Sequence, residues 1–250
     1  MISKLPNKNV IPVYNNAGFH NSIYREKYLG NSVTASQWSA IQNGTFEDLF
    51  IGDYWTINSV NWRIAAFDYW LHTDSPEVTV HHVVIVPDTI LNTAAMNSTS
   101  TTAGGYVGSD FYTGNNGNAG KATAISAVND SFGTAHILSH KERLTNSVNS
   151  NTGKANNWAW YNSTVELMSE VMVYGVNIWN SSPGYENSIS KSQLPLFRLD
   201  HSRICCNRVN WWLRSVYNNA GFCNIDGNGC ATSSGSSNTF GIRPAFAIVA

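Results

Sequence analysis

Asn210-Trp211-Trp212-Leu213-Arg214 and Gly241-Ile242-Arg243-Pro244-Ala245-Phe246 are two stiff, largely apolar blocks that frame the most informative part of this chain. Around and between them Cys, Asn, Ser, Gly and Arg crowd together, and beyond Gln193 there is no Lys, Glu, Gln or Met. A segment with that bias reads as a scaffold carrying a patch whose side chains are free to differ. Binding is therefore the first function to consider.

The rest of the composition agrees with a folded binder. The chain has 250 residues, 42% of them hydrophobic, enough for one large core or two modest ones. Charged residues make up 12%, about half of the usual ~25%, so the polar surface is built from Asn, Ser, Thr and Gly. The net charge of -1 supplies no basic field for a polyanion, and nucleic acid is not expected as a partner. Met1 to Pro6 lacks the apolar run of a signal peptide, and no stretch of 18 apolar residues occurs, so neither general secretion nor membrane insertion is expected. A protein released inside a lysed host, such as a virion part, needs no such signal.

All four cysteines, Cys205, Cys206, Cys223 and Cys230, fall in the biased segment. An adjacent pair followed by two singles fits no zinc spacing. The sequence assigns no disulfide among them, and they are read as free thiols.

Local patterns place the secondary structure. Thr34 and Gln37 form a capping box ahead of a helix over 35–43 that stops at Gly44. Residues 51–72 read as two strands around Asn58-Ser59, a hairpin. His82 to Pro87 reads as a buried strand, with His81 and His82 as strand-edge residues rather than metal ligands. The glycine-rich stretch 97–119 lacks the strand, spacing and Lys of a phosphate-binding loop and is read as a plain loop. Lys121 to Phe132 has helical spacing and ends at Gly133, and His136-Ile137-Leu138 opens a further ordered piece. Ser163 and Glu166 are read as a second capping box, starting a helix through Leu167, Met168, Val171 and Met172. Leu194 to Phe197 is expected as a loop or edge strand, and Trp211–Arg214, Phe222–Ile225 and Phe240–Ile248 as strands. One heptapeptide, Val13 to Phe19, recurs identically as Val216 to Phe222.

Catalytic patterns are poorly supplied. No G-x-S-x-G is present, and His136 and His140 lack the Glu of a metalloprotease helix. Glu166 and Glu170 lie one helical turn apart, but Glu166 is already taken as the capping residue. By contrast, Tyr217, Phe222 and Phe240 among glycine-separated Asn and Ser resemble an adaptable binding surface, where aromatics give contact area and small polar groups hydrogen-bond flexibly. Trp211, Trp212, Leu213, Ile242, Pro244 and Phe246 can hold such loops, with Arg214 and Arg243 bonding carbonyls or carboxylates beneath.

The blocks NWWLRSVYNNAGF and GIRPAFAI, preceded by IGDYWTINSVNWRIAAFDYWL, HHVVIVPDT, TTAGGYVGSDFY, FGTAHILSHKERL and STVELMSEVMVYG, resemble the variable proteins of diversity-generating retroelements in gut bacteria and their phages. The likeness runs from Thr34 to the C-terminus. It implies an α+β, C-type-lectin-like fold with two helices, a small twisted antiparallel sheet and a long irregular C-terminal loop region. Residues 1–33 are then an N-terminal lead-in, and 34–250 a ligand-binding domain with a variable segment at about 205–240. The resemblance also implies a cause for the composition. Such elements randomise adenines, and an AAC codon so altered yields Cys, Ser, Gly, Arg, Tyr, Phe or Asp, but not Lys, Glu, Gln, Met or Trp.

On that basis Asn207, Arg208, Trp211, Trp212, Leu213, Arg214, Ile225, Gly229, Ala231, Gly241, Ile242, Arg243, Pro244 and Phe246 are expected as framework. The ligand-facing positions are expected to be Cys205, Val209, Asn210, Ser215, Tyr217, Asn218, Gly221, Asn224, Asp226, Asn228, Cys230, Thr232, Ser233, Ser234, Asn238 and Phe240. The implied function is non-enzymatic recognition of a host surface protein or glycan at a phage tail tip, as a possible homotrimer, with no catalytic residue, metal or cofactor. The calcium motifs Glu-Pro-Asn and Trp-Asn-Asp of sugar-binding C-type lectins are missing, so calcium-dependent sugar binding is not implied. Two alternatives remain at this point. One is a metal-dependent oxidoreductase of the formylglycine-generating kind, using Cys205 and Cys206; the other is a bacterial cell-surface adhesin.

Overall fold

The computed structural model describes residues 16–73, 76–181 and 192–250; Val13 to Asn15 of the repeated heptapeptide lie outside them. The helices are α1 (Ala17–His20), α2 (Ala35–Gln42), α3 (Asp110–Thr113), α4 (Gly120–Phe132), α5 (Glu170–Tyr174) and α6 (Pro195–Leu199). The strands are β1 (Tyr54–Ile57), β2 (Val60–Phe67), β3 (Val83–Pro87), β4 (Asn92–Ala95), β5 (His140–Val148), β6 (Ala155–Ser163), β7 (Val165–Leu167), β8 (Trp211–Val216), β9 (Gly221–Ile225), β10 (Ala231–Gly235), β11 (Thr239–Ile242) and β12 (Pro244–Ile248). They make a first sheet ordered β1-β2-β3-β12-β7, a second ordered β10-β9-β8-β11-β4, and the separate hairpin β5-β6. Among the described residues, every pairing between these strands is antiparallel except the single contact of β11 with β8, at Gly241 and Trp211. The fold is α+β with few helices.

Several elements form for the reasons visible in the sequence. Thr34 Oγ1 accepts the Gln37 N–H, and Gln37 Oε1 accepts the Thr34 N–H, closing the expected capping box on α2. Asn58 and Ser59 both adopt left-handed backbone, φ 51° and 64°, the twist a two-residue hairpin between β1 and β2 needs. Every residue of β3 is buried, since it lies between β2 and β12. Gly133 ends α4 as expected.

Other elements correct the sequence reading. Val165 to Leu167 is strand β7, paired with Pro244 to Phe246, and the helix starts only at Glu170, capped by Ser169. Glu166 is therefore no capping residue: its carboxylate is buried and accepts Tyr106 Oη (2.8 Å), Lys121 Nζ (2.7 Å) and Ser163 Oγ (3.1 Å). Three tertiary donors outweigh one local cap. Leu194 to Phe197, expected as a loop or edge strand, leads into α6, with Pro195 in the first turn where a missing N–H costs nothing. The stretch 97–119 contains the short helix α3, capped by Ser109. The sheets exceed the small one expected, and most of residues 211–248 lie in five strands rather than a long irregular loop.

Both faces of the second sheet are covered. Trp211, Leu213, Cys223 and Ile225 enter the larger apolar cluster, shared with the first sheet. Trp212, Val216, Phe222 and Ile242 enter a smaller one with Met96, Tyr106, Phe111 and Leu144. Among the described residues no helix is long and apolar enough to cross a membrane.

Because Ser59 sits in left-handed backbone at the β1–β2 turn, Ser59→Gly is expected to raise stability by about 1 kcal/mol. Urea unfolding of both proteins checks this.

Candidate ligand-binding face

The base of the face is set by four large side chains with almost no exposure, Trp211, Trp212, Arg214 and Arg243. Each carries polar atoms and each finds partners. Trp211 Nε1 donates to the Ile204 carbonyl (3.1 Å) and Trp212 Nε1 to that of Ala94 (2.9 Å). Arg243 donates to the carbonyls of Pro87 (2.9 Å) and Arg203 (2.7 Å), between the rings of Trp211 and Phe197. Burial holds it below the usual guanidinium range. Gly241 makes room for Ile90: a Cβ there would lie 2.2 Å from Ile90 Cγ2 and would force that side chain to shift.

Arg214 anchors a second buried network. Its NH2 donates to Glu142 Oε2 (2.9 Å), and Glu142 Oε1 meets His140 Nε2 at 3.3 Å. Burial alone would raise the Glu142 pKa, but Arg214 and His140 more than offset that and hold it at about 2. His140 packs on Trp70, whose backbone N–H is accepted by His82 Nε2. Burial pulls the His82 imidazole down to about 4. His81 and His82 thus both bond within the fold, His81 through Asp68 at 2.8 Å.

The expected framework residues Asn207 and Arg208 expose their side chains and contribute backbone instead. Cys206, Asn207 and Arg208 are consecutively left-handed, and a Cβ on Gly227 would meet the Arg208 carbonyl at 2.4 Å. The loop before β8 and the β9–β10 turn are therefore pressed together. Cys205, Val209, Asp226, Asn228 and Cys230 gather there. Asp226 Oδ1 accepts the N–H groups of Asn228 (2.8 Å) and Cys230 (2.9 Å), Cys205 Sγ donates to the Asn228 carbonyl, and Tyr174 Oη to that of Gly229.

The other candidates divide into three groups. Tyr217, Asn218 and Asn238 lie at the opposite end of the same strands, Tyr217 edge-on to Trp179 at 5.6 Å. Thr232, Ser233 and Ser234, half-exposed on β10, bridge the two ends. Asn210 and Phe240 stand apart, Asn210 accepting the Gly241 N–H and Phe240 packed on Trp212. Three positions are corrections. Ser215 is fully buried and accepts the Glu170 N–H. Asn224 is fully buried, its side-chain amide without a hydrogen-bond partner among the described residues. A Cβ on Gly221 would fall 2.5 Å from the Ser234 carbonyl, so that position must stay glycine. Trp179 and Tyr174 belong to the face but precede the segment the sequence singled out.

β10 is also the edge of its sheet. Backbone bonds of Ser236 to Ala220 and of Asp226 to Cys230 fix the ladder phase, so Ala231, Ser233 and Gly235 turn their N–H and C=O groups outward. Trp179 Nε1 takes the Ala231 carbonyl and Asn238 N that of Gly235, which leaves both groups of Ser233 without a bond among the described residues.

The four cysteines are free. Cys205 turns toward Asn228 and Cys206 toward the Asp88 carbonyl, so the adjacent pair diverges. Among the described residues no group of three or more His, Cys, Asp or Glu side chains could hold a metal ion.

A family model described as a domain of unknown function (DUF6273) matches residues 136–250. That span includes β5 to β12, and so both the base and the edge of the face. No curated protein matches the chain. No solved structure matches it.

The buried network makes the base acid-sensitive. As pH falls from 6.5 toward 4 the unfolded His82 binds a proton that the folded imidazole refuses. From 4.5 toward 2 the unfolded Glu142 does the same, so stability drops across both windows. Glu142→Gln should lose the lower window and, by leaving Arg214 without its buried counter-charge, destabilise the protein at neutral pH by about 3 kcal/mol. Urea unfolding as a function of pH measures both effects.

Proposed function

We propose that this chain is a non-enzymatic recognition protein that binds its ligand along the β9–β10 edge. The carrying observation is the pairing of a fully buried Trp and Arg base with an edge of small uncharged side chains, Thr232, Ser233 and Ser234, flanked by Tyr217 and Asn228. Stiff support beneath lowers the ordering cost of binding, while Ser, Thr and Asn at the edge can be exchanged without disturbing the core. The Tyr217–Trp179 pair supplies the aromatic anchor.

The likeness of the residue blocks quoted above to the variable proteins of diversity-generating retroelements supports this reading. The C-type-lectin-like fold belongs to the same proposal. It is supported by the way β12 returns from the C-terminus to pair with β3, in the sheet that β1 and β2 begin. A phage tail tip is the proposed location and a host surface molecule the partner. Several copies, a trimer by analogy, would add avidity.

The triple variant Tyr217→Ala, Asn228→Ala, Ser233→Lys should weaken attachment to the host more than tenfold while melting like the parent protein. Attachment by an otherwise identical particle measures this, and unchanged attachment would remove the edge from the binding surface. The coding DNA gives an independent check. A nearby imperfect copy of codons 205–240, differing mainly at adenines, is expected beside a reverse transcriptase gene.

A further inference from the structure

At the opposite edge of the second sheet, β4 borders a cleft of ≈ 700 Å³, a volume within the range of small-molecule sites. The lining is small and mostly neutral: Asn, Thr, Ser, Ala and Gly, with one carboxylate, Asp110, and no Lys, Arg or aromatic side chain. Asp110 is committed to the protein, accepting the Ser98 N–H at 2.7 Å and Asn116 Nδ2 at 3.0 Å. It is thereby a rigid wall rather than a free charge. Asn118 is fixed likewise, donating to the Ala95 carbonyl and accepting the Gly120 N–H.

What remains unsatisfied is mixed in character. Asn92 Nδ2 donates to the Gly120 carbonyl (3.1 Å), and its Oδ1, without a hydrogen-bond partner among the described residues, is itself shut off from the cleft. Helix α4 also opens here, and its N-cap Ala119 supplies no side-chain acceptor for the backbone donors of the first turn. Thr93, Thr123 and Thr239 add hydroxyls, which both donate and accept.

A ligand that fits must offer donors and acceptors at close spacing, bear no charge and need no apolar pocket. We infer that this cleft is a metal-independent site for an uncharged saccharide, separate from the β9–β10 edge. A peptide would need room for apolar side chains, and the apolar side chains in the lining are all alanines. An anion would find no fixed cation.

The test is a titration of the isotope-labelled full chain with methyl glycosides of glucose, galactose, mannose and N-acetylglucosamine. Each is taken to about 50 mM, well past a millimolar Kd. At least one is expected to give saturable amide shifts at Thr93, Asn116, Gly117 and Asn118. Thr93→Trp, which fills the cleft from an exposed strand position, should abolish them. Thr123→Val should weaken binding about tenfold, the loss of one neutral hydrogen bond. Melting curves identify any variant that fails to fold, and the triple variant of the β9–β10 edge should bind the sugar as the parent does. Absence of saturable shifts with all four sugars overturns the site, and so do shifts that survive Thr93→Trp in a folded protein.

Discussion

A guanidinium with no ion pair among the described residues fixes how the two sheets meet. Arg243 stands where the chain leaves β11 in the second sheet and enters β12 in the first. Taking it out of water is unfavourable, and the offset comes from two backbone carbonyls and two aromatic faces rather than from a carboxylate. Those carbonyls belong to Pro87, at the end of β3, and to Arg203, in the turn before β8. One side chain therefore ties the strand crossing to both halves of the molecule. The registers of β12 on β3 and of β11 on β4 follow from where that crossing is held.

The molecule separates rigidity from variability by depth. Side chains on β8 are buried on both faces, and each large polar one has its own partner, so little can change there without leaving a donor or charge stranded. Two strands away, β10 carries side chains that contact the core little. The turn between β9 and β10 is held by backbone and by Asp226, not by the residues it displays. Asp226 consequently belongs to the support of the face as much as to its surface.

Sequence patterns revealed those features whose causes are local. The capping box on α2 and the Asn58-Ser59 turn are satisfied by atoms a few residues away. The same S-x-x-E pattern at Ser163 misled because Glu166 answers to Tyr106 and Lys121, both more than forty residues distant. The hairpin β5–β6 escaped notice because Asn156-Asn157-Trp158-Ala159-Trp160-Tyr161 shows no clean alternation. At the face, the Trp and Arg base was legible from residue type. The division of Ser, Asn and Gly into buried and exposed was not. Ser215 is covered because α5 lies on it, and Gly221 is constrained by a carbonyl of the neighbouring strand. Trp179 joins the face through a bond to β10 that no spacing announces.

The bare rim of β10 also has a colloidal consequence. Ala231-Thr232-Ser233-Ser234-Gly235 has no lysine, acid or proline to discourage another strand from docking, the usual safeguards of exposed sheet margins. Solubility and receptivity are thus opposed at one place: amides left open to a foreign surface are equally open to a second copy of the protein. A gatekeeping charge at Ser233 would suppress self-association in concentrated stocks only by narrowing what the rim can accept.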